Sequence, residues 1–317
     1  MHGTGPDPLA ALLRNCLAGL HQDPVVWTEL PLHSNVAAGG AGHLPRPSAP
    51  EKLMPMTIKE RYLQAYDEQL RTDAETPSAL SVTKLGPLRL ATFAGGLGFI
   101  TYRDLGGALA ADMPGLVSAA LKHYRADPGI DKVEWKVRMH DASPGLPAAL
   151  VSHGFAPEEA ESIMVGPLEG LCANVPEPDG VSLRKVTAES DVRAMSAMAD
   201  EAFGEAVDTR MADALLARLS RNDGMELWVA EADGRMVSCG RLEPVHGTDF
   251  AGIWGGSTLE AYRGRGIYRA LTAARARSAL EQGKTLAHSD SSEFSRPILE
   301  RSGLLKVSTT IPYYWRR

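Results

Sequence analysis

The sequence predicts an α+β fold in two successive halves, each a mixed, mostly antiparallel central sheet flanked by helices. Three observations carry that prediction. Short β-type runs separated by glycine turns alternate with amphipathic stretches at helical spacing. The order of these elements is nearly the same before and after residue 174. Between the two halves lies a proline-rich break at residues 174–180, NVPEPDG.

Taken in order, Leu9, Leu12, Leu13, Cys16, Leu17 and Leu20 fall at the spacing of a docking helix, and residues 34–50, rich in Gly, Ala and Pro, read as a connector. Thr57 and Glu60 then form a capping box that opens a helix running to about Arg71. Runs 79–85 and 88–94 are strands hinged at Gly86-Pro87, and 99–103 is a third strand after Gly95-Gly96. Residues 116–124 are helical, 133–140 alternate as a strand, 145–152 are helical, and 162–165 close this half as a strand.

Beyond the break, 181–186 is a strand, and 191–203 and 208–219 are helices, the first with Val192, Met195, Ala199 and Ala202 on one face. Strands at 226–231, 237–245 and 250–257 follow, the first pair turning at Asp233-Gly234. A long helix covers 266–282, a strand 285–289 and a short helix 296–302, with a last strand or strand pair at 306–315. In both halves a leucine stands four residues before the glycine that stops the short helix, Leu150 before Gly154 and Leu299 before Gly303. This reads as a weak internal repeat. The predicted domains are 1–56, an N-terminal helix and connector, then 57–173 and 181–317.

Bulk properties exclude several classes of function. Hydrophobic residues are 44% and charged residues 23% of the chain, the balance of a globular protein with a core of its own. A net charge of −6 offers no basic field to nucleic acid or to an anionic membrane. No apolar run reaches the roughly 20 residues that span a bilayer. Cys16, Cys172 and Cys239 are far apart, and the nine histidines show no zinc spacing, so neither disulfides nor a metal is expected. These features point to the cytoplasm.

The informative stretch is Trp254–Leu271, WGGSTLEAYRGRGIYRAL, which joins a strand to the long helix. Gly264 and Gly266 let the backbone approach a ligand, the helix N-terminus offers unpaired N–H groups, and Arg263, Arg265 and Arg269 add positive charge. That combination suits a pyrophosphate. A Rossmann fingerprint would need a third glycine where Arg269 stands, and a P-loop would need Gly-Lys-Ser/Thr. Ser257, in Gly255-Gly-Ser-Thr-Leu259, fails the G-x-S-x-G elbow because Leu259 replaces the last glycine, so it reads as a strand hydroxyl.

This loop resembles the coenzyme A loop of the GNAT superfamily of N-acetyltransferases, Arg/Gln-x-x-Gly-x-Gly/Ala after a β-meander. Arg263 and Gly266 meet the pattern, and Tyr268 departs from it at the last position. The resemblance covers 181–317. Residues 57–173 resemble a degenerate copy, whose nearest loop, Arg103-Asp-Leu-Gly-Gly107, carries an acid and lacks the glycine spacing. Two GNAT-like domains are therefore expected, with coenzyme A bound by the second alone.

The resemblance implies direct attack of an amine on an acetyl-CoA thioester, with acetyl-CoA as acyl donor and no metal. It implies cofactor contacts at Gly256, Ser257, Thr258, Arg263, Gly264, Arg265, Gly266, Ile267, Tyr268 and Arg269. Many relatives place a tyrosine acid where this chain has Leu299; Tyr268, Tyr313 and Tyr314 are substitutes. For the base the candidates are Glu243, Asp290, Glu293 and the carboxylate of Arg317. Glu243, Asp290 and Tyr268 are the catalytic residues we expect. The expected partners are acetyl-CoA and a primary amine of a small molecule or peptide, with no nucleic acid or membrane, and a homodimer is left open. A non-catalytic acyl-CoA sensor or assembly module is the alternative, and a tandem transferase with two sites is disfavoured by the missing first loop.

Overall fold

The computed structural model describes residues 55–317; the leucine stripe at 9–20 and the connector at 34–50 lie outside the described residues. Helix α1 (Ile58–Gln69) opens with the capping box visible in the sequence. The Glu60 amide donates to Thr57 Oγ1 at 3.2 Å and the Thr57 amide to the Glu60 carboxylate at 2.7 Å. Strands β1 (Ser81–Leu85), β2 (Leu88–Phe93) and β3 (Leu97–Thr101) form an antiparallel meander. After them come α2 (Met113–Arg125), β4 (Lys132–Arg138), α3 (Leu146–Ser152), the two-residue β5 (Ala156–Pro157) and β6 (Glu161–Pro167).

A short helix α4 (Leu168–Cys172) leads into the break. The second half is β7 (Val181–Val186), α5 (Glu189–Phe203), α6 (Thr209–Leu219), β8 (Glu226–Ala232), β9 (Arg235–Pro244) and β10 (Phe250–Thr258). It ends with α7 (Ile267–Glu281), β11 (Leu286–Ser291), α8 (Arg296–Arg301) and a single long β12 (Leu305–Arg316).

Several element bounds differ from the sequence reading by two or three residues, and two of these shifts have a local cause. Helix α2 starts at Met113 rather than 116, because Pro114 occupies the first turn, where a missing N–H costs nothing. Strand β3 starts two residues early because Leu97 pairs with Phe93 directly after the left-handed Gly95-Gly96 turn.

The α+β class holds, and the sheets of the two halves are joined into one. Its strand order is β1-β2-β3-β4-β12-β6-β11-β10-β9-β8-β7, with β5 attached to β12. Among the described residues, only the β3/β4 and β10/β11 pairs are parallel. The closing strands of the halves are exchanged: β6 lies against β11 of the second half, and β12 is inserted between β4 and β6 of the first.

Alternation along the central strands gives each face its own core. Ile163, Val165, Phe250 and Val307 pack under α1, whereas Met164, Ala251, Ile253 and Ala287 pack under α4 and α7. Helix α7 is rich in alanine, and Ala270, Ala273, Ala276 and Ala279 are all buried, so it can lie close to the sheet. In the first half Trp135, Tyr102, Leu105, Met113 and Leu146 fill the region around the β3/β4 pair with side chains.

Candidate functional site

The site begins with a defect in β10. Trp254 pairs with Arg241 of β9 and Ser257 with Cys239, so three steps on one strand oppose two on the other. Gly255, at φ +60°, takes the left-handed conformation that this bulge requires. On its other edge β10 pairs in parallel with β11 only over Phe250–Gly252, and past the Gly252–His288 pair no further pairing joins them. A cavity of about 790 Å³ opens in the resulting gap.

One wall of the cavity is Ile253 and residues 255–258 of β10, and the head of α7 closes one end. Gly264 (φ +75°) and Gly266 (φ +79°, the N-cap) swing the chain into that helix. Its first amides have no acceptor within the helix and carry the positive end of its dipole. The three arginines have different jobs. Arg263 is a clamp, its Nε donating to the Thr258 carbonyl at 3.0 Å and its Nη2 to the Ala202 carbonyl at 2.9 Å. Arg265 lies over the Tyr262 ring at 4.9 Å and is not among the lining residues, whereas Arg269 lines the cavity.

Tyr268 also lines the cavity and rests on Gly256, where an added Cβ would sit 2.5 Å from its ring. The departure at 268 from the glycine-loop pattern is thus matched by a glycine on the neighbouring strand. Behind the bulge, the guanidinium of fully buried Arg275 donates to the carbonyls of Trp254 (3.0 Å) and Arg241 (3.1 Å) and to Thr272 Oγ1 (3.0 Å). Gly240 makes room for it, since a Cβ there would lie 2.3 Å from Nη1. Ser257 Oγ meets Cys239 Sγ at 3.1 Å, and burial pushes that thiol up.

Of the expected cofactor residues, Gly256, Ser257, Thr258, Arg263, Gly264, Gly266, Ile267, Tyr268 and Arg269 come together around this one cavity. The expected acids do not line it. Glu243 accepts from Arg241 Nε at 3.0 Å and lies 3.8 Å from Arg218. Burial alone would raise the Asp290 carboxyl, but Lys136 of the first half, ion-paired with it, holds it below its ordinary value. That pair forms although β12 and β6 run between the two strands, so the sheet curls around this face.

Glu293 is paired with Arg296 at 2.7 Å, Tyr314 donates to Glu134 at 2.9 Å, Tyr313 is buried in the first half's core, and Arg317 is tied to Ile130 and Asp131. Leu299 is buried in the core beside Met164 and Leu304. Sequence reasoning missed the far wall: Ser289, Ser292, Ser295, Ser302 and Arg301 face the cavity, with Ala202 and Phe203 from the end of α5. The hydroxyl-rich run SDSSEFS, which begins within β11, was the available signal.

A bulged strand parted from its parallel neighbour, with a glycine-headed helix at the mouth, defines the class: an acyltransferase domain. Residues 192–303 match the model of the acetyltransferase (GNAT) family, so the second half carries a GNAT-family domain. Solved structures agree in fold. A GCN5-related N-acetyltransferase from Kribbella flavida superposes with a TM-score of 0.59 at 20% identity, covering 82% of this chain and 96% of that one. A tandem GNAT protein from the clavulanic acid biosynthesis pathway gives 0.55 at 14% identity, over 82% and 96% of the two chains. A GCN5-related N-acetyltransferase from Sphaerobacter thermophilus gives 0.55 at 16% identity, over 73% and 76%. No curated protein matches the sequence.

Proposed function

We propose that the protein transfers an acetyl group from acetyl-CoA to a primary amine of a small molecule or peptide by direct attack. The observation that carries this reading is the 790 Å³ cavity in the β10/β11 gap, glycine-lined on one side and capped by the unpaired amides of α7. In it the diphosphate meets the head of α7 and Arg269, and the pantetheine arm runs along the 256–258 edge. An amide of that edge polarises the thioester carbonyl. Tyr268, inside the cavity, is the group we assign to protonate the departing thiolate.

Residues 57–173 and 181–317 are the two domains of this reading, and the first takes no coenzyme A: its Arg103–Gly107 loop lacks the glycine spacing, and Trp135 and Met113 beside the β3/β4 pair belong to its buried core. Calorimetric titration with acetyl-CoA is expected to give one site per chain; two sites would overturn that assignment. Release of free thiol with a panel of primary amines tests the chemistry. Gly264→Glu puts a carboxylate beside the diphosphate and is expected to weaken coenzyme A binding by about 100-fold. Unchanged affinity would refute the loop's role. Leu299, where relatives carry a tyrosine, favours the second reading, a non-catalytic acyl-CoA sensor, which predicts tight binding with no thiol release across the panel.

Among the described residues no helix is long and apolar enough to cross a membrane, and no group of three metal-ligating side chains is assembled.

A further inference from the structure

With Glu243 and Asp290 both engaged in ion pairs outside the cavity, the proton acceptor for the incoming amine has to be sought elsewhere. A second, much smaller cavity of about 20 Å³ adjoins the first, and Gly255 and Phe203 wall both. Its volume suits one water molecule or one amino group. Two polar side chains of α5 line it. Ser196 is 3% exposed, and its Oγ is buried with no hydrogen-bond partner. Asp200 is 6% exposed, and one carboxylate oxygen accepts from the Asp208 amide at 3.1 Å.

The remaining wall is largely apolar, with Met195, Met211 and Leu215 among its side chains. Three titratable or charged groups face Asp200 from the neighbouring segments. Arg241 of β9 is neutralised by Glu243, Cys239 of β9 is a buried thiol, and Asp208 of the α5–α6 connection is engaged by Arg210. A buried hydroxyl without a partner is a standing cost that a ligand able to hydrogen-bond would remove.

We propose that this crevice seats the amino group of the acceptor, an unbranched primary alkylamine, and that Asp200 is the base that takes its proton. The inference rests on the acetyl-transfer reading and adds the substrate class and the base. Asp200 and Ser196 hold the ammonium, and its alkyl stem passes out between Gly255 and Phe203, which wall both cavities. One proton passes from the ammonium to the Asp200 carboxylate. The freed nitrogen lone pair forms the C–N bond at the thioester carbon, and the C–S bond breaks with its electron pair going to sulfur. Tyr268 gives its proton to that sulfur and recovers the second N–H proton, leaving amide and free coenzyme A thiol. Burial pushes the Asp200 carboxyl above its ordinary value, which the Asp208 amide only partly offsets, and this brings it closer to the range of a working base.

The test uses the full chain, acetyl-CoA and n-propylamine, with thiol release followed from pH 5 to 9 and coenzyme A affinity measured separately. Wild type is expected to turn over n-propylamine, with an acidic limb that Asp200 sets. Asp200→Asn is expected to lose about 100-fold in kcat together with that limb, and Asp200→Glu to recover part of both. Ser196→Val fills the crevice and keeps the base, so KM for n-propylamine is expected to rise about tenfold with coenzyme A affinity unchanged.

The proposal is overturned if wild type binds coenzyme A but ignores n-propylamine. It is equally overturned if Asp200→Asn keeps the acidic limb, if Asp290→Asn removes that limb instead, or if Ser196→Val leaves KM unchanged. Failure of wild type to bind coenzyme A at all would instead overturn the acetyl-transfer reading beneath it.

Discussion

Single residues do much of the positioning at this site, and several act by what they leave out. Gly256 has no side chain where the Tyr268 ring lies. Gly256→Ala is expected to displace that ring and to cost about 1–3 kcal/mol in stability, read by denaturant unfolding, with coenzyme A affinity falling in parallel. His288 is a residue of a different kind. Its Nε2 is buried without a hydrogen-bond partner among the described residues, and burial, outweighing Asp290, pushes the ring from its usual 6.5 down to about 4. The unfolded chain therefore binds this proton more readily than the folded one. Stability from this group is full above about pH 6.5 and falls by about 3 kcal/mol as pH drops toward 4. Unfolding curves of wild type and His288→Gln across that window are expected to converge at low pH; parallel curves would show that the ring does not titrate this way.

At the scale of elements, the bulged β10 depends on what stands behind it. Arg275 supplies donors to the carbonyls of Trp254 and Arg241 that flank the bulge. Arg275→Met would remove the donors to both carbonyls, and a loss of about 3 kcal/mol is expected in equilibrium unfolding. Most elements are legible in the sequence because their signals are local. The Thr57/Glu60 box, the Asp233-Gly234 turn and the Gly264/Gly266 loop each announce themselves within a few residues. Helix α4 does not, since LEGLC is short and runs straight into the proline-rich break. The candidate site divides in the same way. Its glycine–arginine wall and its serine wall are each a local run, but nothing in either announces that they face one another. The crevice joins Ser196 and Asp200 of α5 to Met211, Leu215, Cys239, Arg241 and Gly255, which no local pattern links.

Over the whole molecule, the sequence shows two similar halves but not how they are joined. Exchange of β6 and β12 changes no residue pattern within either strand, because each keeps the alternation it would need in its own half. The halves are accordingly not separable by cutting at the proline-rich break. A fragment of residues 176–317 would lose the partner strand of β11 and leave β12 without β4 and β6. Light scattering of that fragment is expected to show dimers or larger assemblies formed through the open edges, and co-expression with residues 55–175 is expected to restore a one-to-one complex. A monomeric, fully folded 176–317 would contradict this.

The same exchange governs how the protein comes into being. On the ribosome, β4 and β6 emerge long before β12, the strand that lies between them. The first half must therefore wait, with two sheet edges exposed, until β12 has been made. A truncation that removes β12 would strike at strands made long before it.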